Sequence, residues 1–307
     1  MTEKSIKLNN GTFIPAIGLG TWQSSPGQVQ LAVTHALLYG YRHIDAAYCY
    51  QNEVEVGRGL ADAFQAGVQR QDVFVTTKLW STFHSRAEKA LDESLENLGL
   101  DYVDLYLMHW PVAMNPKGNH PLFPKLPDGS RDIDHSWSYV KTYKLMEKLL
   151  DTGKVKAIGV ANFSVRYLEE LLRQVSVVPA VNQIENHPFL PQLDIVDFCR
   201  QKGIHVTACS PLGSAGSPLL TEESIKKIAD GYRVSPSTIL ISFHISRVSS
   251  VLAKSVNPLR INSNKEVVKI DSGDLNTLKR LAAERGFVTR YLYPEFGVDF
   301  GFPDKSG

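Results

Sequence analysis

Four residues that can take part in acid–base chemistry stand at or just beyond the ends of apolar runs. Asp45 follows His-Ile, Lys78 follows Val-Phe-Val-Thr-Thr, His109 follows Leu-Tyr-Leu-Met, and Tyr50 lies five residues after Asp45. Side chains in such positions are expected to be partly buried, and buried charges persist only when they are paired. We therefore expect Asp45 and Lys78 to form an ion pair.

This combination of residue types predicts a proton-transfer site. A Lys78 ammonium close to Tyr50 should lower the pKa of the phenol, since the positive charge favours the phenolate. Tyr50 would then donate a proton, Asp45 would hold Lys78, and His109 would orient a substrate oxygen. A buried His or an Asp–Lys pair taken singly is more often structural, but four such residues at strand ends favour a functional site.

The elements that must position these residues follow an alternating pattern along the chain. Short apolar runs alternate with amphipathic segments, which is typical of repeated βα units around a parallel sheet. Before the repeats, residues 6–8 and 13–14 flank Asn9-Asn10-Gly11 and predict a short hairpin. The eight predicted parallel strands are 17–21, 42–46, 73–78, 103–109, 155–160, 180–184, 205–210 and 250–253.

Helical periodicity accompanies each strand. In residues 87–98, for example, Ala87, Leu91, Leu95 and Leu98 recur on one helical face. The eight predicted helices are 29–38, 53–64, 87–98, 138–150, 165–175, 193–202, 236–246 and 261–267. Eight strand–helix pairs favour a (β/α)8 TIM barrel over a doubly wound open sheet, and a barrel places reactive side chains at the carboxyl ends of its strands.

No linker divides the chain, so we expect residues 1–307 to form a single domain. Two segments exceed an ordinary loop: residues 111–137 after the fourth barrel strand, and the tail after Arg285. Long loops in compact domains are usually functional or disordered. The tail holds four Phe and two Tyr, a composition too aromatic for disorder.

Composition excludes several classes of partner. The 33 basic and 32 acidic residues give a net charge of +1 without a basic cluster, which argues against binding to nucleic acid or an anionic membrane. No apolar stretch approaches the roughly 18 residues of a membrane span, and the amino-terminal segment lacks a signal-like apolar core. The three cysteines show neither disulfide nor metal-ligand spacing. We expect a cytoplasmic protein without a metal, as a monomer or weak dimer.

Long motifs in these same regions resemble those of the aldo-keto reductase superfamily. Residues 40–57 read GYRHIDAAYCYQNEVEVG, residues 108–111 read MHWP, and LAKS at 252–255 continues through Arg260 to Asn264. The segments GLGTW at 18–22 and SPLGS at 210–214 extend the resemblance over nearly the whole chain. The ending FGVDFGFP at 296–303 is similar to fungal sugar and sugar-acid reductases, such as aldose or galacturonate reductases.

The resemblance implies a (β/α)8 barrel that reduces aldehydes or ketones with a nicotinamide cofactor, using Asp45, Tyr50, Lys78 and His109. A Rossmann site is not supported, because Gly57-Arg58-Gly59 lies in a helical pattern and is better explained by helix packing. The implied cofactor contacts are Thr21, Trp22, Asn162, Gln183, Cys209, Ser210, Leu212, Ser214, Lys254, Ser255, Val256, Arg260 and Asn264.

Five positions bear on the choice of cofactor and its affinity. Lys254 and Arg260 could meet a ribose 2'-phosphate, which implies NADPH. The family usually has Ser where Ala161 stands, many members have Tyr where Cys209 stands, and many have Glu where Ser263 stands. We expect altered cofactor affinity and some use of NADH rather than loss of activity.

The substrate implied is a sugar or other polyhydroxy aldehyde. A uronic acid such as galacturonate is one candidate, with a simple aldose or glyceraldehyde as the alternative. Trp22, Trp80, Trp110 and Lys117 are the expected substrate contacts. Further cations in the long loop and tail are Lys125, Arg131 and Arg290, although Asp128, Asp132 and Asp134 could neutralise the loop. The other hypotheses are a non-catalytic binding protein, which the complete set of four reactive residues disfavours, and an aldolase- or isomerase-like barrel. The latter would need a strand-end lysine free to form a Schiff base, whereas Lys78 faces Asp45 and should stay charged.

Overall fold

Eight parallel strands close into a barrel in the computed structural model, which describes residues 5–25, 27–214 and 216–305. A separate antiparallel hairpin, β1 (Ser5–Lys7) and β2 (Phe13–Pro15), comes first. The barrel strands are β3 (Ile17–Gly20), β4 (His43–Asp45), β5 (Phe74–Leu79), β6 (Val103–Met108), β7 (Val155–Ala161), β8 (Val181–Glu185), β9 (His205–Cys209) and β10 (Ser250–Lys254). Closure comes from β10 pairing with β3, where Lys254 lies opposite Gly20. The predicted (β/α)8 barrel and hairpin are therefore confirmed.

The hairpin covers the end of the barrel opposite the predicted site. Leu8 and Ile14 are buried and pack in one cluster with Phe74 and Leu105, which belong to β5 and β6. Asn10, in the hairpin turn, donates a side-chain hydrogen bond to the carbonyl oxygen of Lys156 near the start of β7. The opposite end, where the strands finish, is left for the long loops.

Ten α-helices surround the barrel in the described ranges. They are α1 (Gln28–Leu38), α2 (Glu53–Gln65), α3 (Ala87–Leu98), α4 (Tyr139–Leu149), α5 (Val165–Leu172), α6 (Leu193–Gln201), α7 (Glu223–Tyr232), α8 (Pro236–Ser246), α9 (Pro258–Ser263) and α10 (Ser272–Glu284). The predicted bounds of α3 and α8 agree with the structure, and the first six differ by at most three residues at an end. None of these helices is both long and apolar enough to cross a membrane.

The helix prediction was wrong for three helices after β9, namely α7, α9 and α10. The helix expected at 261–267 starts earlier, because the Asn257 side chain accepts a hydrogen bond from the backbone N–H of Arg260 and Pro258 occupies the first turn. Two helices were missed, α7 and α10. The prediction assigned one helix to each strand. It therefore could not include α7, which precedes α8 between β9 and β10, or α10, which is the second helix after the last strand.

Glycine in α2 serves helix packing, as expected. A Cβ atom on Gly57 would lie 2.6 Å from the carbonyl oxygen of Leu98 in α3, and one on Gly59 would lie 2.6 Å from that of Gln30 in α1. Helices α1, α2 and α3 could not approach so closely with larger side chains at these two positions. The pair is thus structural.

Both long segments fold over the carboxyl ends of the strands. The loop at 111–137 carries two antiparallel bridges, Met114 with Ile133 and Lys125 with Arg131. It is attached to the barrel by the indole N–H of Trp80, which donates to the carbonyl oxygen of Leu122 at 2.7 Å. In the tail, three of the four Phe residues are buried, namely Phe296, Phe300 and Phe302. The expectation of a single domain stays a prediction.

Candidate active site

The four predicted catalytic residues meet at one end of the barrel. Asp45 is the last residue of β4, Lys78 the penultimate residue of β5, and His109 follows β6. Tyr50 lies in a one-turn 3-10 helix, Tyr48–Tyr50, which leads from β4 toward α2. Parallel neighbouring strands bring these ends to a common rim, so residues up to 64 positions apart in the chain become neighbours.

Lys78 is the centre of the cluster. Its side chain is fully buried, and its ammonium donates to Asp45 Oδ1 at 2.6 Å, to the Ala46 carbonyl oxygen at 2.9 Å and to the Tyr50 hydroxyl oxygen at 3.2 Å. The expected Asp45–Lys78 pair is thus present. All three ammonium hydrogens have acceptors, which leaves no role for Lys78 as a free amine nucleophile.

The second oxygen of Asp45 has its own partner. Gln183, in β8, donates from Nε2 to Asp45 Oδ2 at 2.8 Å. Each carboxylate oxygen therefore accepts a hydrogen bond from a buried donor, so the charge of Asp45 is compensated from two sides.

Tyr50 differs from the expectation in the direction of its pKa. Burial, followed by the negative charge of Asp45, raises the pKa of Tyr50 well above its usual value. The expected lowering of this pKa by Lys78 was therefore wrong, because burial disfavours the charged phenolate. Since the hydroxyl oxygen accepts from Lys78, its own hydrogen remains free for donation. Tyr50 is therefore a neutral phenol whose hydroxyl hydrogen is available for donation.

His109 is held as a neutral imidazole. Burial and the nearby Lys78 charge lower the pKa of His109 well below its usual value. Its Nδ1 lies 3.4 Å from the Sγ atom of Cys49, whose own pKa burial raises to about 12. A thiol that keeps its hydrogen can donate it to Nδ1, and in that arrangement Nε2 carries the ring hydrogen.

Cys49 was missed from the sequence. A signal existed, since Cys49 directly precedes Tyr50 in the motif that carries the resemblance. The contact with His109 joins positions 60 residues apart, and such a contact cannot be seen before the chain is folded.

A cavity of about 590 Å³ opens onto this cluster. Asp45, Tyr50 and His109 line it, whereas Lys78 lies behind them without contact with the cavity. Of the predicted cofactor contacts, those that line it are Thr21, Trp22, Asn162, Gln183, Cys209, Ser210, Leu212, Ser214 and Lys254. The remaining four, Ser255, Val256, Arg260 and Asn264, lie outside the cavity wall, in the segment from the end of β10 through α9.

Two amide side chains present acceptors to the cavity. Asn162 donates from Nδ2 to the His109 carbonyl oxygen at 2.9 Å, and Gln183 donates to Asp45. Because both partners can only accept, the amide orientations are determined, and the two side-chain oxygens are left for another donor. Asn162 adopts a left-handed backbone (φ 61°), a conformation that Asn tolerates.

Aromatic side chains form the outer wall. Trp80 and Trp110 line the cavity as predicted, together with Phe123, Tyr293 and Phe296 of the long loop and the tail. The Trp80 ring lies 5.3 Å from the His109 ring and 5.3 Å from the Phe123 ring, measured between centroids. The wall is thus continuous from the reactive cluster to the mouth.

None of the four expected cations lines this cavity, and two of them lie away from it. Lys117 is exposed and does not line the cavity. Arg290 is buried in a bidentate pair with Asp304, at 2.7 and 2.8 Å, and also donates to Gln192. Loop length and composition could not distinguish these cations from Arg131, which lies beside the cavity.

Comparison with known proteins agrees with this geometry. Residues 16–283 match the model of the aldo/keto reductase family. The chain belongs to the aldo/keto reductase family. The resemblance seen in its motifs is therefore confirmed, and the protein is an oxidoreductase of the kind that uses a nicotinamide cofactor.

Curated relatives extend the match over almost the whole chain. The chain is 57% identical to D-galacturonate reductase of Hypocrea jecorina, over all of both chains. It is 48% identical to glycerol 2-dehydrogenase (NADP(+)) of Saccharomyces cerevisiae, over 96% of each, and 42% identical to D/L-glyceraldehyde reductase of Hypocrea jecorina, over 96% and 93%. Among solved structures, the aldose reductase of Schistosoma japonicum superposes with a TM-score of 0.91 at 37% identity, over 99% of this chain and all of that one.

Proposed function

We propose that this aldo/keto reductase reduces the aldehyde of a uronic acid, such as D-galacturonate, to the primary alcohol with NADPH. The observation that carries the proposal is the Tyr50 hydroxyl, which is bonded to a buried Lys78–Asp45 pair and lines the same cavity as His109. The sugar acid is supported by the name of the relative that is 57% identical over the whole chain.

The residues of the cavity fit a nicotinamide cofactor. The free side-chain oxygens of Asn162 and Gln183 match the two hydrogens of a carboxamide NH₂ group. Ser210 and Ser214, after β9, offer hydroxyl and backbone N–H donors suited to a pyrophosphate. When bound, this cofactor supplies a hydride to the substrate's carbonyl carbon.

The protein's own side chains supply the proton. As negative charge develops on the carbonyl oxygen, Tyr50 transfers its free hydroxyl hydrogen to it, and the aldehyde becomes an alcohol. Lys78 stabilises the phenolate that remains until solvent returns a proton, and Asp45 keeps Lys78 in place. The neutral His109 donates from Nε2 to the same oxygen and so orients the carbonyl carbon.

Preference for NADPH rests on Lys254 and Arg260. Lys254 lines the cavity, and its ammonium donates to the Gln23 carbonyl oxygen at 2.9 Å. Arg260 is exposed in α9, a short distance further along the chain. A charge-assisted contact to the 2'-phosphate is worth about 1.5 to 3 kcal/mol. We expect Arg260→Ala to weaken NADPH binding by at least tenfold and to leave NADH binding nearly unchanged, as measured by fluorescence titration.

Steady-state kinetics test the substrate. We expect NADPH oxidation with D-galacturonate to have a higher kcat/KM than with D-galactose or glyceraldehyde, and Tyr50→Phe to provide the inactive control. If glyceraldehyde is the better substrate, the substrate class is that of the relative at 42% identity, D/L-glyceraldehyde reductase, and not a uronic acid. If NADPH is oxidised with none of these aldehydes, the proposal fails.

A further inference from the structure

Arg131, in the long loop at 111–137, lies between two aromatic rings that line the catalytic cavity. Its guanidinium carbon is 5.4 Å from the Phe123 ring centroid and 5.5 Å from that of Phe296. Both rings also contact Trp80, whose indole lies against His109. One indole therefore separates the reactive cluster from the rings that hold this cation.

The guanidinium of Arg131 lacks an acceptor. Its Nε and Nη1 atoms are buried and make no hydrogen bond within the described residues, and Arg131 forms no ion pair there. A guanidinium keeps its charge at all ordinary pH values. Buried donors that lack an acceptor are costly, so a folded protein that retains them usually meets a ligand, an ion or water at that point.

The acidic residues of the loop do not neutralise Arg131. Asp128 accepts hydrogen bonds from the backbone N–H and hydroxyl of Ser130, and Asp134 accepts the same pair from Ser136. Asp132 accepts from the side chain of Asn115 at 2.9 Å. All three carboxylates stabilise turns of their own loop, so the alternative of a self-neutralised loop is not supported.

A recess beside Arg131 provides room for a ligand group. It has a volume of about 690 Å³, and Phe123, Pro294 and Phe296 line both this recess and the catalytic cavity. Lys125, Arg131 and His135 also line it, together with Glu295, so basic side chains exceed acidic ones. The recess that holds Arg131 and the cavity that holds Tyr50 are therefore neighbours that share part of their wall.

We propose that Arg131 is the anchor for the carboxylate of an aldehyde-acid substrate. This rests on the proposed function, since it assigns the distal group of the same substrate. A planar guanidinium recognises a carboxylate by charge-assisted hydrogen bonds, and the two flanking rings hold it in place. Recognition of the carboxylate, which is remote from the carbonyl, orients the sugar without taking part in proton transfer.

The test compares two sugars that differ at a single carbon. D-Galacturonate carries a carboxylate where D-galactose carries a hydroxymethyl group, so the ratio of their kcat/KM values isolates recognition of the charge. We expect Arg131→Met to lower this ratio by about 10- to 100-fold, mainly through KM for galacturonate. Arg131→Lys should restore part of it, because the charge remains and the planar fork is lost. Raised ionic strength should lower the wild-type ratio.

Lys117→Met is the matched control, because it removes a positive charge from the same loop at a position that does not line the cavity. An unchanged ratio in Arg131→Met, or an equal fall in Lys117→Met, overturns the proposal. A wild-type ratio near one also overturns it. Wild-type turnover of glyceraldehyde with neither sugar reduced would instead refute the uronic acid substrate of the proposed function. Circular dichroism and glyceraldehyde turnover identify a variant that fails to fold, and Arg131→Gln then replaces Arg131→Met.

Discussion

Replacing Lys78 by Met removes the ammonium from the centre of the catalytic cluster and keeps a side chain of similar length. The change leaves the buried Asp45 carboxylate with Gln183 as its remaining side-chain partner, and it removes the hydrogen bond to Tyr50. Breaking a buried ion pair from one side typically costs about 3 to 5 kcal/mol, because an uncompensated charge remains in a low-dielectric site. We expect Lys78→Met to lower the free energy of unfolding by that amount and to abolish turnover.

A double-mutant cycle separates the charge from the packing. Asp45→Asn combined with Lys78→Met leaves no uncompensated charge, so the double variant should be less destabilised than the sum of the single variants. Turnover should stay absent in the double variant, since Tyr50 still lacks the stabilising ammonium. Guanidinium unfolding followed by tryptophan fluorescence, together with NADPH oxidation, measures both quantities.

The chain provides a matched control at its surface. Lys154 lies 2.7 Å from Asp92, almost the distance between Lys78 and Asp45, but these two side chains are 36% and 49% exposed. Solvent screens such a pair, so Lys154→Met should cost at most about 1 kcal/mol. If Lys78→Met costs no more than Lys154→Met, burial of the ion pair does not have the energetic role given to it here.

Three further predictions concern neighbouring side chains. Tyr50→Phe should abolish turnover and leave NADPH binding within a few-fold in a fluorescence titration, since it removes the proton donor and little cofactor contact; turnover near the wild-type rate would refute that role. Cys49→Val removes the hydrogen-bond partner of His109 Nδ1. We therefore expect kcat to fall several-fold and the ¹⁵N chemical shifts of the His109 ring to show a change of tautomer, whereas Cys49→Ser should retain the wild-type shifts. Burial raises the pKa of Glu53 from 4.5 to about 7. The folded state therefore binds the Glu53 proton more tightly than the unfolded state does, and the resulting contribution to the free energy of unfolding is lost as the pH rises from about 4.5 to about 7. Relative to Glu53→Gln, the wild type should lose up to about 3 kcal/mol between these limits in urea unfolding, and parallel pH profiles would contradict the assignment.

The sequence was sufficient to predict the barrel and the reactive cluster. Asp45, Lys78 and His109 are polar residues that end apolar strands, and in a closed parallel barrel all strand ends lie at one rim. Their meeting therefore follows from topology, which hydrophobic periodicity reveals. The same periodicity could not place α7 and α10, because extra helices outside the repeated βα unit follow no counting rule.

Only the tertiary structure decided how these groups behave. The pKa of Tyr50 depends on how much water folding removes around its hydroxyl, and burial together with the Asp45 charge raises it. Arg290 is paired with Asp304, Lys117 remains exposed, and Arg131 lies between two rings of the cavity wall. These cations have the same charge in the sequence, and only the fold decides which of them is paired, exposed or held beside the cavity, because electrostatic interactions depend on distances through space and on burial.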